Sequence, residues 1–265
     1  MTEQIYKYPR TVHIEGSRFQ SGDEDLAAIP FKVIAGRNLI IEEKLDGANT
    51  GISFTADGKL LLQSRGHYLL GGASEQHFNL FKQWAYTHTT LLWNILGYRY
   101  ILYGEWLYAK HTIFYNYLPH YFLEFDLLDK EQGEFLSTER RKALLMRSPI
   151  ASVPIIYSGQ LTSAKQLAKF LARSAFIQPG HVEKLQTICE QRGLDVARAV
   201  KETDRSLDME GLYIKVEEDG LVKERYKYVR ASFLQAVENA EGHWLARPII
   251  PNLLQPDIDL FGKDL

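Results

Sequence analysis

One cysteine, Cys189, stands among 265 residues. It can form no internal disulfide, so a folded core has to hold the chain, as expected in a reducing, cytoplasmic compartment. With no second cysteine to build a ligand cluster, a zinc site is not expected. No run of about 18 apolar residues is present to cross a membrane. The opening "MTEQIYKYPR" has no apolar stretch, so it does not read as a signal peptide. An excess of charge of one sign is missing too: 31 Lys and Arg face 33 Asp and Glu, for a formal net charge of -2. There is no global basic field, and a nucleic-acid partner would require cations gathered on one face. Internal repeats and low-complexity tracts are also lacking.

What is present is an ordinary globular composition, 45% hydrophobic and 24% charged. The length allows one large domain or two small ones, with a core of good size. Residues 31–70 read as a β meander. "FKVIAG" and "LIIEEK" are β-rich, and "GISFTADGKLLLQSRG" carries a hairpin signal at Asp57-Gly58. In "ASEQHFNLFKQWAYTHTTLLWNIL" the apolar residues recur at three- and four-residue spacing, which predicts one amphipathic helix with His88 as a core histidine. "YRYILYGEWLY" and "HYFLEFDLLD" return to aromatic strand chemistry. "STERRKALLMRS" reads as a capped helix, with Arg140, Arg141 and Lys142 on its solvated face. "LTSAKQLAKFLARSA", capped at Thr162, "QPGHVEKLQTICEQRG", closing at Gly193, and "DVARAVKET" predict three helices. A second hairpin turns at Asp219-Gly220, and "SFLQAVENAEG" reads as a last helix. Pro248, Pro251 and Pro256 make the tail extended across the surface. The expected organisation is one domain over 1–245, with a helical insertion at about 158–206, and a tail over 246–265.

The chemistry concentrates around Lys44, at the end of an apolar strand and followed by Leu45-Asp46-Gly47. The Lys-x-Asp-Gly tetrad alone is weak, since chance gives it to roughly one chain of this size in twenty, and Asp-Gly is a common turn pair. A nucleophilic lysine needs more: a lowered pKa, cations for phosphate oxygens, carboxylates, and an aromatic face. Further along, Arg65 ends a strand, Glu105 lies in an aromatic strand, Phe125-Asp126 lie in the next, and Glu210-Gly211 open another. Arg225 and Lys227, two residues apart, share one strand face.

Lys44-Leu45-Asp46-Gly47, Ser64-Arg65-Gly66, Tyr103-Gly104-Glu105, Phe125-Asp126, Glu210 to Lys215 and Arg225-Tyr226-Lys227 fall in one order. That order resembles the motifs of the covalent nucleotidyltransferase superfamily, which holds ATP-dependent DNA ligases, RNA ligases and mRNA capping enzymes. Asn49, five residues after Lys44, stands where DNA ligases and capping enzymes usually carry arginine. It is similar to the RNA ligase branch, in particular the phage family that seals nicks in double-stranded RNA. Asp46 departs from that phage family, which has histidine there. The chain ends soon after the last motif, and no OB-fold domain is expected.

The resemblance implies an α+β nucleotidyltransferase (ATP-grasp-like ligase catalytic) fold, with antiparallel sheets enclosing a nucleotide cleft. It implies an ATP-dependent RNA ligase that joins 5′-phosphate and 3′-hydroxyl ends through lysyl-AMP and adenylylated RNA, with ATP as AMP donor and Mg2+ or Mn2+ as metal. Lys44 would be the nucleophile. Lys227, with Arg225 on the same face, would hold the α-phosphate and depress the pKa of Lys44. Glu210 would be a metal or water ligand, Glu105 would bind the ribose, and Phe125 would stack on adenine. Asp126 would support the site, Arg65 would contact phosphate or ribose, Asn49 would place pyrophosphate or RNA ends, and Glu43 would contribute its backbone to adenine recognition. The partners would be nicked or broken RNA ends, with an end-processing kinase or phosphatase and no membrane. Sealing of DNA or hybrid nicks, GTP-dependent capping, and a degenerate fold that binds nucleotide or RNA without catalysis stay open. "AKHTIFY", residues 109–115, reads equally as a nucleic-acid contact or as a loop packing its aromatics on the sheet.

Overall fold

The computed structural model describes residues 4–19, 28–146, 148–238 and 248–262. Its strands are β1 (Val12–His13), β2 (Leu39–Lys44), β3 (Ala48–Phe54), β4 (Leu60–Ser64), β5 (Tyr100–Trp106), β6 (Phe122–Asp129), β7 (Glu134–Leu136), β8 (Ala151–Ser152), β9 (Ile155–Gly159), β10 (Gly211–Glu218) and β11 (Leu221–Val229). The helices are α1 (Asn79–Thr87), α2 (Thr89–Leu96), α3 (Thr138–Leu145), α4 (Ala164–Ala168), α5 (His181–Gln191), α6 (Val196–Lys201) and α7 (Ala231–Glu238). The rest of the predicted last helix, 239–242, lies outside the described residues.

Three expectations from local pattern give way. Phe31–Val33 is a 3-10 turn rather than a strand, because the N–H groups of Val33 and Ile34 fold back on the carbonyls of Pro30 and Phe31. The single long helix is three pieces: a 3-10 segment over Ala73–Phe78, then α1, then α2. The break falls at His88, whose φ of -99° and ψ of 17° leave the helical region. Its Nδ1 meets the Trp84 carbonyl at 2.9 Å, so it is the satisfied core histidine expected. The predicted helix from Leu161 shrinks to α4. Beyond Ala168 the chain tightens into bonds three residues apart, as helix ends do, and the cap is Ser163 rather than Thr162, with the Ser163 N–H accepted by the Gln166 side chain. Both hairpin turns form as read, and Asp219 and Gly220 take the positive φ values, 54° and 74°, that a tight hairpin turn demands.

The strands form one hydrogen-bonded path, β4-β3-β5-β6-β7-β11-β10-β2-β9, with antiparallel neighbours throughout. β1 joins β11 and β8 joins β6, both parallel. The path has two halves, β4-β3-β5-β6 and β11-β10-β2-β9, joined by the three-residue strand β7. α1 and α2 pack Phe81, Trp84, Leu92 and Leu96 on Leu102, Trp106 and Phe122 of the first half. α4 sets Leu167 against Ile41, Leu212 and Ile214 of the second. A third cluster, with Tyr8, Tyr103 and Leu123 beside Val229 of β11, draws on both halves. α4, α5 and α6 all fall between β9 and β10.

Candidate active site

The Lys44 turn is where the chain changes halves. β2 pairs with β10 and β9, whereas β3 pairs with β4 and β5, so residues 45–47 form a crossing and not a hairpin. The crossing needs Gly47: a Cβ there would lie 2.7 Å from Leu107 Cδ2 and 2.8 Å from the Trp106 carbonyl. Across from Lys44 in the ladder stands Gly211, where a Cβ would meet the Tyr228 carbonyl at 2.0 Å. That contact excludes any side chain and brings Glu210 to the strand end beside Lys44. Asp46 does not reach back to the Lys44 amine. Its carboxylate accepts the N–H groups of Thr112 and Ile113, each at 2.7 Å, and its own N–H donates to the Tyr115 hydroxyl at 2.9 Å. Residues 111–115 are buried: Ile113 and Tyr115 pack into the core cluster that holds Tyr103 and Leu123, and Phe114 packs with Leu185, Cys189 and Ala199 of α5 and α6, so the aromatics of this stretch serve packing.

Lys44 opens into a pocket between the two halves, with a quarter of its side chain exposed. Its Nζ lies 2.6 Å from Glu210 Oε1. Burial opposes the lysine charge, but Glu210, and behind it Glu105 and Asp46, outweigh burial and raise the pKa above its ordinary value. The pKa of Lys44 is therefore raised where the sequence reading expected it lowered, because the Glu210 carboxylate stands beside the amine. Burial pushes Glu210 up to about 7, against the opposing pull of Lys44 and, more weakly, Lys227. Glu105 is driven to about 8, again by burial, with Lys44 and Arg65 opposing. Glu43 rises to about 7 by burial, although Ser174 Oγ and the Ala175 N–H donate to its carboxylate.

Phe125 reaches the pocket through an irregularity in β6. Tyr103 pairs with Asp126 and the next residue, Gly104, pairs with Glu124, leaving Phe125 as the extra residue of a β-bulge. The faces confirm it: Leu123 and Leu128 lie in one core cluster, and Phe122 and Leu127 in the other, although each pair is five residues apart. Alternation would send residues five apart to opposite faces. The bulge turns Phe125 and Asp126 to the same side.

Beneath the pocket lies a buried ionic layer. Arg141 Nη2 meets Glu42 at 2.8 Å, and its Nε meets Glu124 at 3.4 Å. Lys215 Nζ meets Glu42 at 2.9 Å and Asp126 at 3.1 Å, and it donates to the bulge carbonyl of Phe125. Arg225 Nε meets Asp126 at 2.9 Å, with its guanidinium stacked over Phe135. Three carboxylates and three cations make the layer neutral. Burial would raise the Asp126 pKa, but Lys215, Arg225 and Arg141 hold it well below the carboxylate range.

Of the residues singled out in the sequence, Glu43, Lys44, Asn49, Arg65, Glu105, Phe125, Glu210 and Lys227 all line the pocket. Asn49 and Glu105 face each other directly across β3 and β5. Asp126 and Arg225 do not line it and belong to the layer below. Arg141, read as part of a solvated helix face, is wholly buried in that layer, while Arg140 and Lys142 are exposed. Sequence reasoning missed the N-terminal segment: Tyr8, Pro9, Arg10 and Thr11 also line the pocket. Tyr8 hydrogen-bonds Asp126 and Tyr213, and its ring meets Phe125 edge-on at 5.2 Å. The alternation of aromatic and polar residues in "IYKYPR" was the available signal.

A family model described as RNA ligase matches residues 37–229. No curated protein matches the chain. Among solved structures, the chain is similar to a Naegleria gruberi RNA ligase with PPi, at a TM-score of 0.53 and 16% identity over 89% of this chain and 61% of that one. A variant of that ligase with AMP and Mn gives a TM-score of 0.52 and 16% identity over 89% and 59%. Another with ATP and Mn gives 0.51 and 16% over 87% and 58%. At such identity the likeness is one of fold, an α+β architecture around a large antiparallel sheet. The chain spans about three fifths of the length of these relatives. The matched residues run from the start of β2 to the end of β11 and hold every pocket residue named above except the N-terminal four. The chain belongs to the RNA ligase family.

Proposed function

We propose that the protein is an ATP-dependent RNA ligase of the nucleotidyltransferase type, with the nucleotide held between the two halves of the sheet. The observation that carries this reading is the convergence of Lys44, Glu105, Phe125, Glu210 and Lys227, from five separate strands or strand ends, on one pocket. Relatives of the same fold hold ATP, AMP, PPi and Mn.

In the first step the neutral Lys44 amine attacks the α-phosphate of ATP. A P–N bond forms, the bond from the α-phosphorus to the α–β bridging oxygen breaks, pyrophosphate leaves, and the amine releases a proton to water. AMP then passes to the 5′-phosphate of an RNA end, and a 3′-hydroxyl displaces it. Lys44 first has to part from Glu210, since the ion pair keeps the amine protonated. Lys227 and Arg65 supply positive charge to the phosphates. Glu105 accepts the ribose hydroxyls, Phe125 stacks on the purine, Glu43 borders it, and Asn49, opposite Glu105, places the leaving group or the RNA ends. Asp126 and Arg225 act from below by fixing the bulge.

A divalent ion fits the donors present. Glu210 Oε2 is buried without a hydrogen-bond partner, and magnesium keeps most of its waters while taking one or two carboxylates. No cluster of three or more acidic, His or Cys ligands exists among the described residues. Bound there, the ion would neutralise phosphate charge, and Glu210 would hold it. Nicked or broken RNA ends are the substrate this reading assigns, with end-healing by a kinase or phosphatase a separate activity. The test is incubation with α-labelled ATP and Mg2+ or Mn2+. Label that survives denaturation is expected on the wild type and absent from Lys44→Ala. Label retained on the folded variant would remove Lys44 from the role, and none on the wild type would favour a binding protein without catalysis.

A further inference from the structure

Asn252 lies far from every motif and outside the matched residues, yet it is fully buried. Its side chain does not pack against an apolar neighbour alone. Nδ2 donates to the Leu107 carbonyl at 2.7 Å, and Oδ1 accepts the Tyr115 N–H at 2.9 Å. Its backbone N–H donates to the Tyr108 carbonyl at 2.8 Å, and its carbonyl accepts the Tyr121 hydroxyl at 2.8 Å. All four bonds go to the chain between β5 and the start of β6. This is the same loop that Asp46 grips from the other side. Tyr115 is shared: its N–H is held by Asn252, while its phenol oxygen accepts the N–H of Asp46, two residues from the nucleophile.

We infer that Asn252 is a positioning residue for the first chemical step: through Tyr115 and the 107–115 loop it fixes the turn that aims Lys44. The inference rests on Lys44 being the nucleophile. The physical basis is that neither Asn252 nor Tyr115 lines the nucleotide pocket. Loosening them changes the approach of the amine and leaves the purine, ribose and phosphate contacts in place. The effect belongs in the rate of the step and not in nucleotide affinity. A misplacement of about 1 Å at an attacking atom is enough for about a 100-fold loss. Asn252 makes its bonds from chain that follows the last motif, so the tail is part of the catalytic architecture rather than a surface wrapping.

The experiment uses the full chain with two substitutions, alone and combined. Asn252→Leu removes the side-chain bonds to Leu107 and Tyr115. Tyr115→Phe removes only the link to Asp46 and leaves the tail contact intact. Single-turnover formation of lysyl-AMP, corrected for the folded fraction, is measured against ATP concentration. Sealing of chemically pre-adenylylated RNA, in which Lys44 does not attack, is measured in parallel. Both single variants are expected to slow lysyl-AMP formation by about 10- to 100-fold at unchanged ATP half-saturation, with the double variant no slower than the worse single one, because residues acting along one path are not additive. Sealing of the pre-adenylylated end stays near wild type. Wild-type rates in both single variants would overturn the inference, as would equal losses in both reactions or multiplicative losses in the double. If Asn252→Leu does not fold, Asn252→Ser, which keeps an acceptor for Tyr115, takes its place in the comparison and is expected to retain more rate than Asn252→Ala. A wild type that forms no lysyl-AMP would instead sink the ligase reading itself.

Discussion

Arg141→Met is the sharpest test of the layer under the pocket. The arginine is fully buried and pairs with Glu42 at 2.8 Å and Glu124 at 3.4 Å. Methionine keeps the aliphatic bulk and removes the charge, leaving three buried carboxylates against Lys215 and Arg225. Breaking a buried pair from one side costs about 3–5 kcal/mol, because the abandoned carboxylate stays out of water. At about 2–4 °C per kcal/mol for a chain of this size, the melting temperature should fall by roughly 6 to 20 °C. The loss should also depend on pH. Burial already raises the Glu124 pKa, and Arg141 is the largest influence holding it down. Without Arg141, Glu124 takes up a proton on folding that the unfolded chain releases, so the variant loses stability relative to wild type as pH rises. Urea unfolding of both proteins at several pH values measures this, and Arg141→Met/Glu124→Gln should recover part of the loss by restoring neutrality. A loss under about 1 kcal/mol, flat with pH, would mean that Arg141 is the solvated helix residue that its sequence neighbours are, since exposed pairs are worth about 0–1 kcal/mol.

Phe125→Ala should raise the ATP concentration needed for self-adenylylation by roughly 5- to 150-fold, the equivalent of about 1–3 kcal/mol of base stacking. A melting-temperature loss typical of a core phenylalanine with unchanged ATP dependence would refute the stacking role. Glu43, Glu105 and Glu210 sit at about 7, 8 and 7 in the fold against 4.5 for an ordinary glutamate. The folded state therefore binds more protons, and the stability of the ligand-free protein should decline as pH rises from about 5 through 8; a thermal shift series that climbs over that window would contradict the placement of these carboxylates. Lys227→Met should slow lysyl-AMP formation. If Lys227 also tunes Lys44 once the nucleotide is bound, the pH–rate profile moves to higher pH and Lys227→Arg restores part of it, whereas a loss by one factor at every pH assigns it phosphate contact alone.

The pocket was legible because its chemistry is written in short motifs at strand ends, where a few residue types at fixed spacing suffice. The hairpin turns at Asp57-Gly58 and Asp219-Gly220 were legible for a similar reason: the backbone conformation they need is a local property of those residues. What escaped was set by partners distant in sequence. Nothing near Lys44 shows that β2 and β3 belong to different halves, since that depends on what β10 and β5 offer as edges. Arg141 carries the same charge as Arg140, and only the carboxylates it meets in the fold, Glu42, 99 positions away, and Glu124, decide that it goes inside. Tyr8 looks like one aromatic among many until Asp126 and Tyr213 are seen to meet its hydroxyl. Phe31 misled because a buried aromatic serves a turn as well as a strand.

The bulge in β6 has a counterpart in how such a pocket could be gained or lost. With Phe125 taken out, Glu124 would be followed by Asp126, and every remaining residue of the strand would keep the face it now has. The ladder with β5 would close without a gap, so the sheet is complete without this residue. A deletion of one codon would mend the hydrogen bonding with β5, leave Leu123, Leu127 and Leu128 in their core clusters, and remove the Phe125 ring from the pocket together with the carbonyl that Lys215 donates to. An insertion of one codon at the same place would do the reverse. The aromatic side of the pocket is thus separable from the strand pairing of β6 at the level of a single reading-frame-preserving event, which substitutions alone, confined to a fixed chain length, do not provide.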